Sequence, residues 1–333
     1  MLIIINKNMK KLRIAINGFG RIGRAFYKVA KKREEIEIVV VNDLGSLESM
    51  EYLLKYDTVY GQSDCTLKGV KYISEKDPTK LPWKDLDIDI VVESTGLYAS
   101  TEKSKAHIDA GAKRVVITGP IKDDDSPTVL MALNEDKLKD CQISSNASCT
   151  TNAGSPLIAI LDEAIGIEKA LLNTVHAYTA SQALVDGPSK KDVREGRAAG
   201  ENLVPSSTGA AVAVTKVMPH LKGKFDGISI RVPVPVGSIV DITFISKKNT
   251  TAEEVNKILE KASGESRWKG IFTVTHEPLV SSDIVGNPHA SIADLAFTRV
   301  VDGNLVKVMA WYDNEMGYTY TLVEHVIKAG KLM

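Results

Sequence analysis

The run Leu12-Arg-Ile-Ala-Ile-Asn17 is followed at once by Gly18-Phe-Gly20-Arg-Ile-Gly23 and then by a helical stretch reaching about Lys31. Strand, glycine turn and helix in unbroken succession leave few ways to fold. The glycines allow a tight turn and a close backbone approach to a pyrophosphate, which then rests on the free N–H groups of the helix start. A second apolar run, Glu37 to Asn42, ends in Asp43, about where a dinucleotide-binding turn places the carboxylate for an adenosine ribose. The constellation predicts a β-α-β unit and a doubly wound parallel sheet of Rossmann type. Gly18, Phe19, Gly20, Arg21, Ile22 and Asp43 are the candidate dinucleotide contacts. An ordinary β-α turn with a helix-capping Asp43 is the plainer alternative.

The same punctuation continues. Ile88 to Glu93 reads as a strand ending at Ser94-Thr95-Gly96, and Arg114 to Thr118 as another ending at Gly119-Pro120. Ligands of doubly wound sheets bind at the carboxyl ends of the strands, so Thr95, Gly96 and Thr118 join the candidate cofactor contacts. A further strand, Gln142 to Ser145, leads to the same edge and into Asn-Ala-Ser-Cys149-Thr-Thr-Asn-Ala153. Ser145, Asn146 and Ser148 are good N-cap types, and the apolar residues after Pro156 recur at helical spacing. Cys149 is therefore expected at a helix N-terminus, where the dipole would lower a thiol pKa from about 8.5 toward neutrality. Either it is a nucleophile, or it is one more small buried residue.

A thiol nucleophile needs a proton acceptor, and His176 ends the strand-like run from Ala170 just before the hydroxyl-rich Ala-Tyr-Thr-Ala-Ser181. Spacing does not show whether it meets Cys149. Residues 178–204 form a long loop, and Pro205-Ser-Ser-Thr208-Gly209 precede an Ala- and Val-rich helix to about Met218. That start is either an anion site or a simple cap. Arg231, among apolar strand neighbours in Ile230 to Pro235, calls for an anionic partner. Runs at Ser238 to Ser246, Val274 to Val280, Ser291 to Val300 and Leu305 to Tyr312 suggest a mostly antiparallel sheet with one face on helices, followed by an amphipathic segment, Tyr318 to Lys328.

Lys plus Arg and Asp plus Glu number 42 each in 333 residues, which gives no general field for nucleic acid or an anionic membrane. No run of 18 apolar residues offers a transmembrane helix. The apolar opening is too short for a signal peptide, so a cytoplasmic location is expected. Three cysteines, Cys65, Cys141 and Cys149, follow no metal-ligand or disulfide spacing, so no metal is expected. Residues 1–9 carry no capping or pairing signal, and Met9 is the expected start, with residues 1–8 an extension.

Ser145-Asn-Ala-Ser-Cys-Thr-Thr-Asn152 closely resembles the nucleophile motif of the phosphorylating glyceraldehyde-3-phosphate dehydrogenase family, and the likeness runs from about Lys10 to the C-terminus. Thr174-Val-His-Ala-Tyr-Thr179 is similar to the motif carrying that family's catalytic histidine, and Trp311-Tyr-Asp-Asn314-Glu to the one whose Asn holds the nicotinamide amide. The resemblance implies a Rossmann NAD-binding domain over 9–149, an α+β catalytic domain over 150–314 including an S-shaped loop at 178–204, and a helix over 315–333 packing back on the first domain. It implies Cys149 and His176 as catalytic residues and NAD as cofactor, with Asp43 and Pro188 favouring NAD over NADP. Thr179, Ser181 and Arg231 would hold a substrate phosphate, and Ser148, Thr150, Thr208 and Gly209 an attacking inorganic phosphate. A homotetramer is implied, the S-shaped loop lining a neighbour's cofactor site. Ser181, Glu195 and Leu97 depart from the family's pattern, and Glu195 brings negative charge near the implied anion site. A related enzyme acting on erythrose 4-phosphate and a non-catalytic, nucleotide-binding redox sensor are the alternatives.

Overall fold

The computed structural model describes residues 10–121, 123–189 and 192–333; the expected extension 1–8 and the S-loop residues Lys190 and Lys191 lie outside them. Strand β1 (Leu12–Asn17) leads through the glycine turn into helix α1 (Arg21–Ala30) and β2 (Ile36–Asn42). Helix α2 (Leu47–Lys55), the short pair β3 (Tyr56–Asp57) and β4 (Gly61–Gln62), and β5 (Lys71–Ile73) follow. Next come β6 (Ile90–Glu93), α3 (Thr101–Asp109), β7 (Arg114–Ile117) and β8 (Ile143–Ser145). The sheet order is β5-β2-β1-β6-β7-β8 and every neighbouring pair is parallel. Covered on both faces, strands such as Ile90-Val-Val-Glu93 are buried throughout, as parallel strands are.

Helix α4 (Cys149–Ile165) begins where β8 ends, and β9 (Ile167–Ala177) opens the second sheet. It continues with β10 (Val204–Ser207), α5 (Ala210–Val217), β11 (Phe225–Val232), β12 (Ser238–Ser246), α6 (Ala252–Ser263), β13 (Phe272–Thr275), β14 (Ser291–Asp294), β15 (Arg299–Val301) and β16 (Leu305–Tyr312). The order is β10-β11-β9-β12-β16-β14-β13, with β15 on β16. Only β11–β9 and β13–β14 are parallel, so the sheet is mostly antiparallel. Leu157, Leu161, Val214, Val255 and Leu259 from the helices close one face over Leu172, Ile242, Phe244 and Val308. The opposite face leaves Leu171 and Ile228 exposed at 67% and 56%.

Helix α7 (Met316–Lys331) returns to the parallel sheet. Its Leu322, Val323, Val326 and Ile327 share a core with Ile14, Phe26, Ile90 and Val116.

Three boundaries differ from the sequence expectation. The strand expected over Val274 to Val280 stops at Thr275, because Pro278 has no N–H to offer a ladder. The run Ser291 to Val300 is broken by a 3₁₀ turn at Leu295–Phe297, where the Asp294 carboxylate accepts from the Ala296 N–H and so competes with the sheet. The expected loop ends in Val204, which opens strand β10, and Pro205 to Ser207, read only as the approach to a helix, join it in pairing with Arg231 to Ile228.

Candidate active site

Two adjoining pockets lie along the carboxyl ends of the parallel strands. One, of about 370 Å³, is lined by Gly18, Gly20, Asp43, Thr95 and Leu97, among others. The other, of about 630 Å³, is lined by Arg21, Ile22, Thr95, Gly96, Thr118, Ser148, Cys149, His176, Thr179 and Asn314, among others. Ser94 and Thr95 belong to both, so the glycine turn and the cysteine face one continuous cleft.

The glycine turn is built for an approaching ligand. Gly18 has φ +94°, and a Cβ there would lie 2.7 Å from the Ser94 backbone, so the protein itself demands glycine. Gly20 is different: a Cβ there meets nothing within 4 Å, and no side chain caps the α1 N-terminus that it opens. That open cradle over unpaired N–H groups fits a pyrophosphate. Asp43 Oδ2 accepts from the Phe19 N–H at 2.6 Å and Oδ1 from the Gly45 N–H at 2.8 Å. A carboxylate has further lone pairs, so Asp43 pins the turn and still has capacity for a ribose hydroxyl. The Phe19 side chain is fully buried against Tyr27, its N–H is engaged by Asp43 and its carbonyl by Arg24 Nη1, so it shapes the turn and leaves the ligand to the helix start.

Beneath the turn lies a network that sequence reasoning missed. Glu93 accepts from Asn17 Nδ2 at 2.6 Å and from the Thr95 N–H at 2.8 Å, and lies 3.0 Å from His107 Nε2. Trp83 Nε1–H donates to His107 Nδ1 at 3.1 Å, so the ring proton sits on Nε2 and donates to Glu93. These contacts tie the ends of β1 and β6 to the Thr95 loop. Arg21 is paired with both Glu315 (2.5 Å) and Asp57 (3.1 Å), so its charge is already countered.

Ser148 caps α4 by accepting from the Thr151 N–H, which puts Cys149 in the first turn as expected. Ala147, just before it, has φ 56°, a left-handed conformation costly for a residue with a Cβ. Helix α7 holds it there: Tyr318 Oη donates to the Ala147 carbonyl at 3.2 Å, and His325 bonds Asn146 Oδ1 at 3.1 Å and Ser144 Oγ at 2.9 Å. Neither the left-handed Ala147 nor the grip of α7 on it was legible locally.

His176, on β9, brings Nε2 to 3.3 Å from Cys149 Sγ. The sequence named both residues but not their meeting. Burial pushes the Cys149 thiol up, against the pull of Arg231 and the hydrogen bonds at the helix start. Burial thus opposes the fall toward neutrality expected from the helix start. Burial, reinforced by Arg231, pushes His176 down to about 3. In both groups burial disfavours the charged form, and the 3.3 Å contact gives one proton a path between them.

Asn314 Oδ1 accepts from the Gly237 N–H and Ser238 Oγ, which leaves Nδ2 as the donor for a ligand carbonyl. Of the anion candidates, Ser148 and Thr179 line the larger pocket, and Ser181 Oγ is 3.0 Å from Thr179 Oγ1. Arg231 reaches His176 instead. Thr150 turns inward: it is 3% exposed, with its hydroxyl 2.9 Å from Tyr312 Oη. The same side chain also hydrogen-bonds the Cys149 thiol, so it stands beside the nucleophile beneath the cleft. Thr208 and Gly209 lie at the start of α5, outside this lining, where Thr208 Oγ1 accepts from the Ala210 N–H. Glu195 is engaged by Ser206 Oγ at 3.0 Å. Thr58, Val59 and Pro235 line the larger pocket and Glu75, Lys76 and Tyr98 the smaller; loop residues without a motif, they carried no sequence signal. No group of three His, Cys, Asp or Glu among the described residues could hold a metal ion.

Residues 12–101 match the family model described as the NAD binding domain of glyceraldehyde 3-phosphate dehydrogenase, and 148–314 that of its C-terminal domain. The chain belongs to the glyceraldehyde-3-phosphate dehydrogenase family. It is 47% identical to "Glyceraldehyde-3-phosphate dehydrogenase" of Mycobacterium avium, an alignment covering 96% of this chain and 99% of that one. Identity is 46% to the protein of the same name in Mycolicibacterium smegmatis, with the same coverage. "Glyceraldehyde-3-phosphate dehydrogenase 2" of Bacillus subtilis is 45% identical over 94% of this chain and 95% of its own. The family's NAD binding domain thus falls on the glycine turn, and its C-terminal domain on Cys149, His176 and Asn314.

Proposed function

We propose that this chain catalyses the phosphorylating oxidation of glyceraldehyde 3-phosphate to 1,3-bisphosphoglycerate, with NAD as cofactor, through Cys149 and His176. The observation that carries the reading is the 3.3 Å contact of Sγ with Nε2 in a cleft that continues to the glycine turn. The uncapped start of α1, at Gly20, Arg21 and Ile22, would hold the pyrophosphate over the space that Gly18 and Phe19 shape, Asp43 the adenosine ribose and Asn314 Nδ2 the nicotinamide amide.

As the Cys149 sulfur attacks the aldehyde carbon, its proton passes to His176 Nε2, which returns it to the new oxyanion and yields a thiohemiacetal. His176 Nε2 then withdraws the proton of that hydroxyl as the carbon loses its hydride. Bound NAD supplies the hydride acceptor, and what remains on Cys149 is a thioester. An oxygen of inorganic phosphate attacks the thioester carbon, the C–S bond breaks, the leaving sulfur takes back the proton held on His176 Nε2 and the acyl phosphate leaves. Thr179, Ser181 and Arg231 would position the substrate phosphate. Ser148, Thr150, Thr208 and Gly209 would position the attacking one.

The assembly we propose is a homotetramer, supported by the uncovered apolar face of the second sheet. No helix of the described residues is long and apolar enough to cross a membrane, and a cytoplasmic site of action fits the aldehyde and NAD chemistry. The test is NADH absorbance with purified protein, aldehyde and NAD. Sustained turnover should require phosphate, with at most one NADH per site without it. No aldehyde-dependent NADH, or phosphate-independent turnover, would refute the reading.

A further inference from the structure

Asn314 stands in the link between β16 and α7, and both of its neighbours are tied to the parallel-sheet half. Asp313 is fully buried. Its Oδ1 accepts from the Glu315 and Met316 N–H groups at 2.9 and 2.8 Å, its Oδ2 from the Gly286 N–H at 2.7 Å, and the Tyr60 hydroxyl donates to it at 2.9 Å from the turn between β3 and β4. Glu315, 8% exposed, receives the Arg21 guanidinium as a fork, with Nε 2.5 Å from Oε1 and Nη2 2.6 Å from Oε2. Arg21 opens α1, and Asp57 at the end of β3 takes its Nη1 at 3.1 Å. The Tyr60 ring centroid lies 5.7 Å from the same guanidinium. Asn314 itself is bound to the other half, through Oδ1 to Gly237 and Ser238.

Stability alone does not call for this arrangement. A buried ion pair does little better than apolar side chains of the same volume, because desolvation offsets the attraction. Burial indeed pushes the Glu315 carboxyl up, against the pull of Arg21. What a fork provides is geometry: two parallel N–H···O bonds fix both the distance and the angle between the elements they join. Here it joins two anchors of one ligand. The Arg21 N–H belongs to the uncapped helix start assigned to the pyrophosphate, and the Arg21 guanidinium grips the residue beside the Asn314 amide assigned to nicotinamide.

We infer that Arg21 and Glu315 are positioning residues that set the span between the pyrophosphate and nicotinamide anchors, while Asp313 and Tyr60 hold the Asn314 link from its other side. A dinucleotide resting on α1 then finds Asn314 already aimed, and the phosphates and the nicotinamide ring bind as one unit. This rests on the proposed NAD site and concerns how its two ends are joined.

The test compares two ligands by calorimetry: NAD, which reaches both anchors, and ADP, which has the adenosine and two phosphates but no nicotinamide. Glu315→Gln keeps the shape of the side chain, removes its charge and leaves Arg21 with Asp57 as partner. Arg21→Lys keeps the backbone N–H and cannot form the fork. In each variant ADP should bind as it does to the wild type, while NAD should lose at least about fivefold, the low end of coupling between sites. The double variant should lose no more than either single one, because the fork is one interaction. At saturating NAD both variants should lower kcat with the KM for the aldehyde unchanged, since a misaimed ring slows hydride transfer and not aldehyde binding. Equal losses for ADP and NAD, the mark of a merely structural pair, would overturn the inference, as would no loss for either ligand or losses that add in the double variant. A wild-type measurement covers a variant that folds poorly: ADP alone should slow amide hydrogen exchange in the peptide around Asn314. Exchange slowed only at the start of α1 would also overturn the coupling. Wild-type protein that binds neither nucleotide would remove the cofactor reading with it, whereas an unaltered NAD preference in the variants would sink this inference alone.

Discussion

Cys149 and His176 divide the chemistry unequally, and substitutions should show it. Cys149→Ala should abolish aldehyde oxidation while NAD still binds, since the glycine turn is built without the thiol; titration of NAD by fluorescence alongside the absorbance assay separates the two. His176→Asn should slow the chemical step by roughly 10²–10⁴-fold, the usual worth of a positioned acid–base group. A full rate in either variant would remove its residue from the mechanism. At the adenosine end, the Asp43 carboxylate would repel a 2′-phosphate, so catalytic efficiency with NAD should far exceed that with NADP. Comparable efficiencies would show that Asp43 acts only as the pin of the Phe19 and Gly45 N–H groups. The residue types of this site could be read from the chain because a thiol in a capping segment and a glycine turn have local signatures. Solvation could not: the upward push on Cys149 and the inward turn of Thr150 come from packing against β9 and β16, which lie far along the sequence.

Among the elements, α7 matters more than its amphipathic pattern suggested. The pattern indicated a helix that packs, and the buried row from Leu322 to Ile327 does so. It gave no hint that Tyr318 and His325 would hold the Asn146-Ala147 turn that aims Cys149, since each bond joins residues more than 170 positions apart. Val204 to Ser207 show the converse limit, as strand β10 is created by its partner β11 rather than by its own pattern. His325 allows a test by acid. Burial lowers its pKa to about 3, whereas in the unfolded chain it titrates near ~6.5. Between those values the unfolded state holds the extra proton, so stability is full above ~6.5 and falls as pH drops toward 3, by about 1.4 kcal/mol per pH unit. His176, lowered in the same way, adds a similar slope. His289 is lowered by burial as well, so His325→Gln should remove one of three contributions, and urea midpoints measured from pH 7 to pH 4 would reveal it as a shallower acid limb. An unchanged limb would mean that His325 takes up its proton in the folded state.

For the whole molecule, the decisive asymmetry is between the two faces of the second sheet. Helices α4, α5 and α6 seal one face, while the other presents Leu171 on β9 and Ile228 on β11 to solvent. The register sets Leu171 opposite Asp226 and Ile228 opposite Asn173, so the two side chains lie on one face of adjacent strands. Exposed positions tolerate polar replacement at little cost to the chain's own fold, usually within about 0.5 kcal/mol. In an interface between copies, a charge buried without a partner is heavily penalised. The double substitution Leu171→Asp with Ile228→Asp should therefore leave circular dichroism unchanged while light scattering reports a smaller particle. If the S-shaped loop completes a neighbour's cofactor site, NAD affinity should fall with the change in size. A particle of unaltered mass would place the subunit contacts elsewhere, and a smaller particle with undiminished NAD affinity would make each cofactor site the property of a single chain.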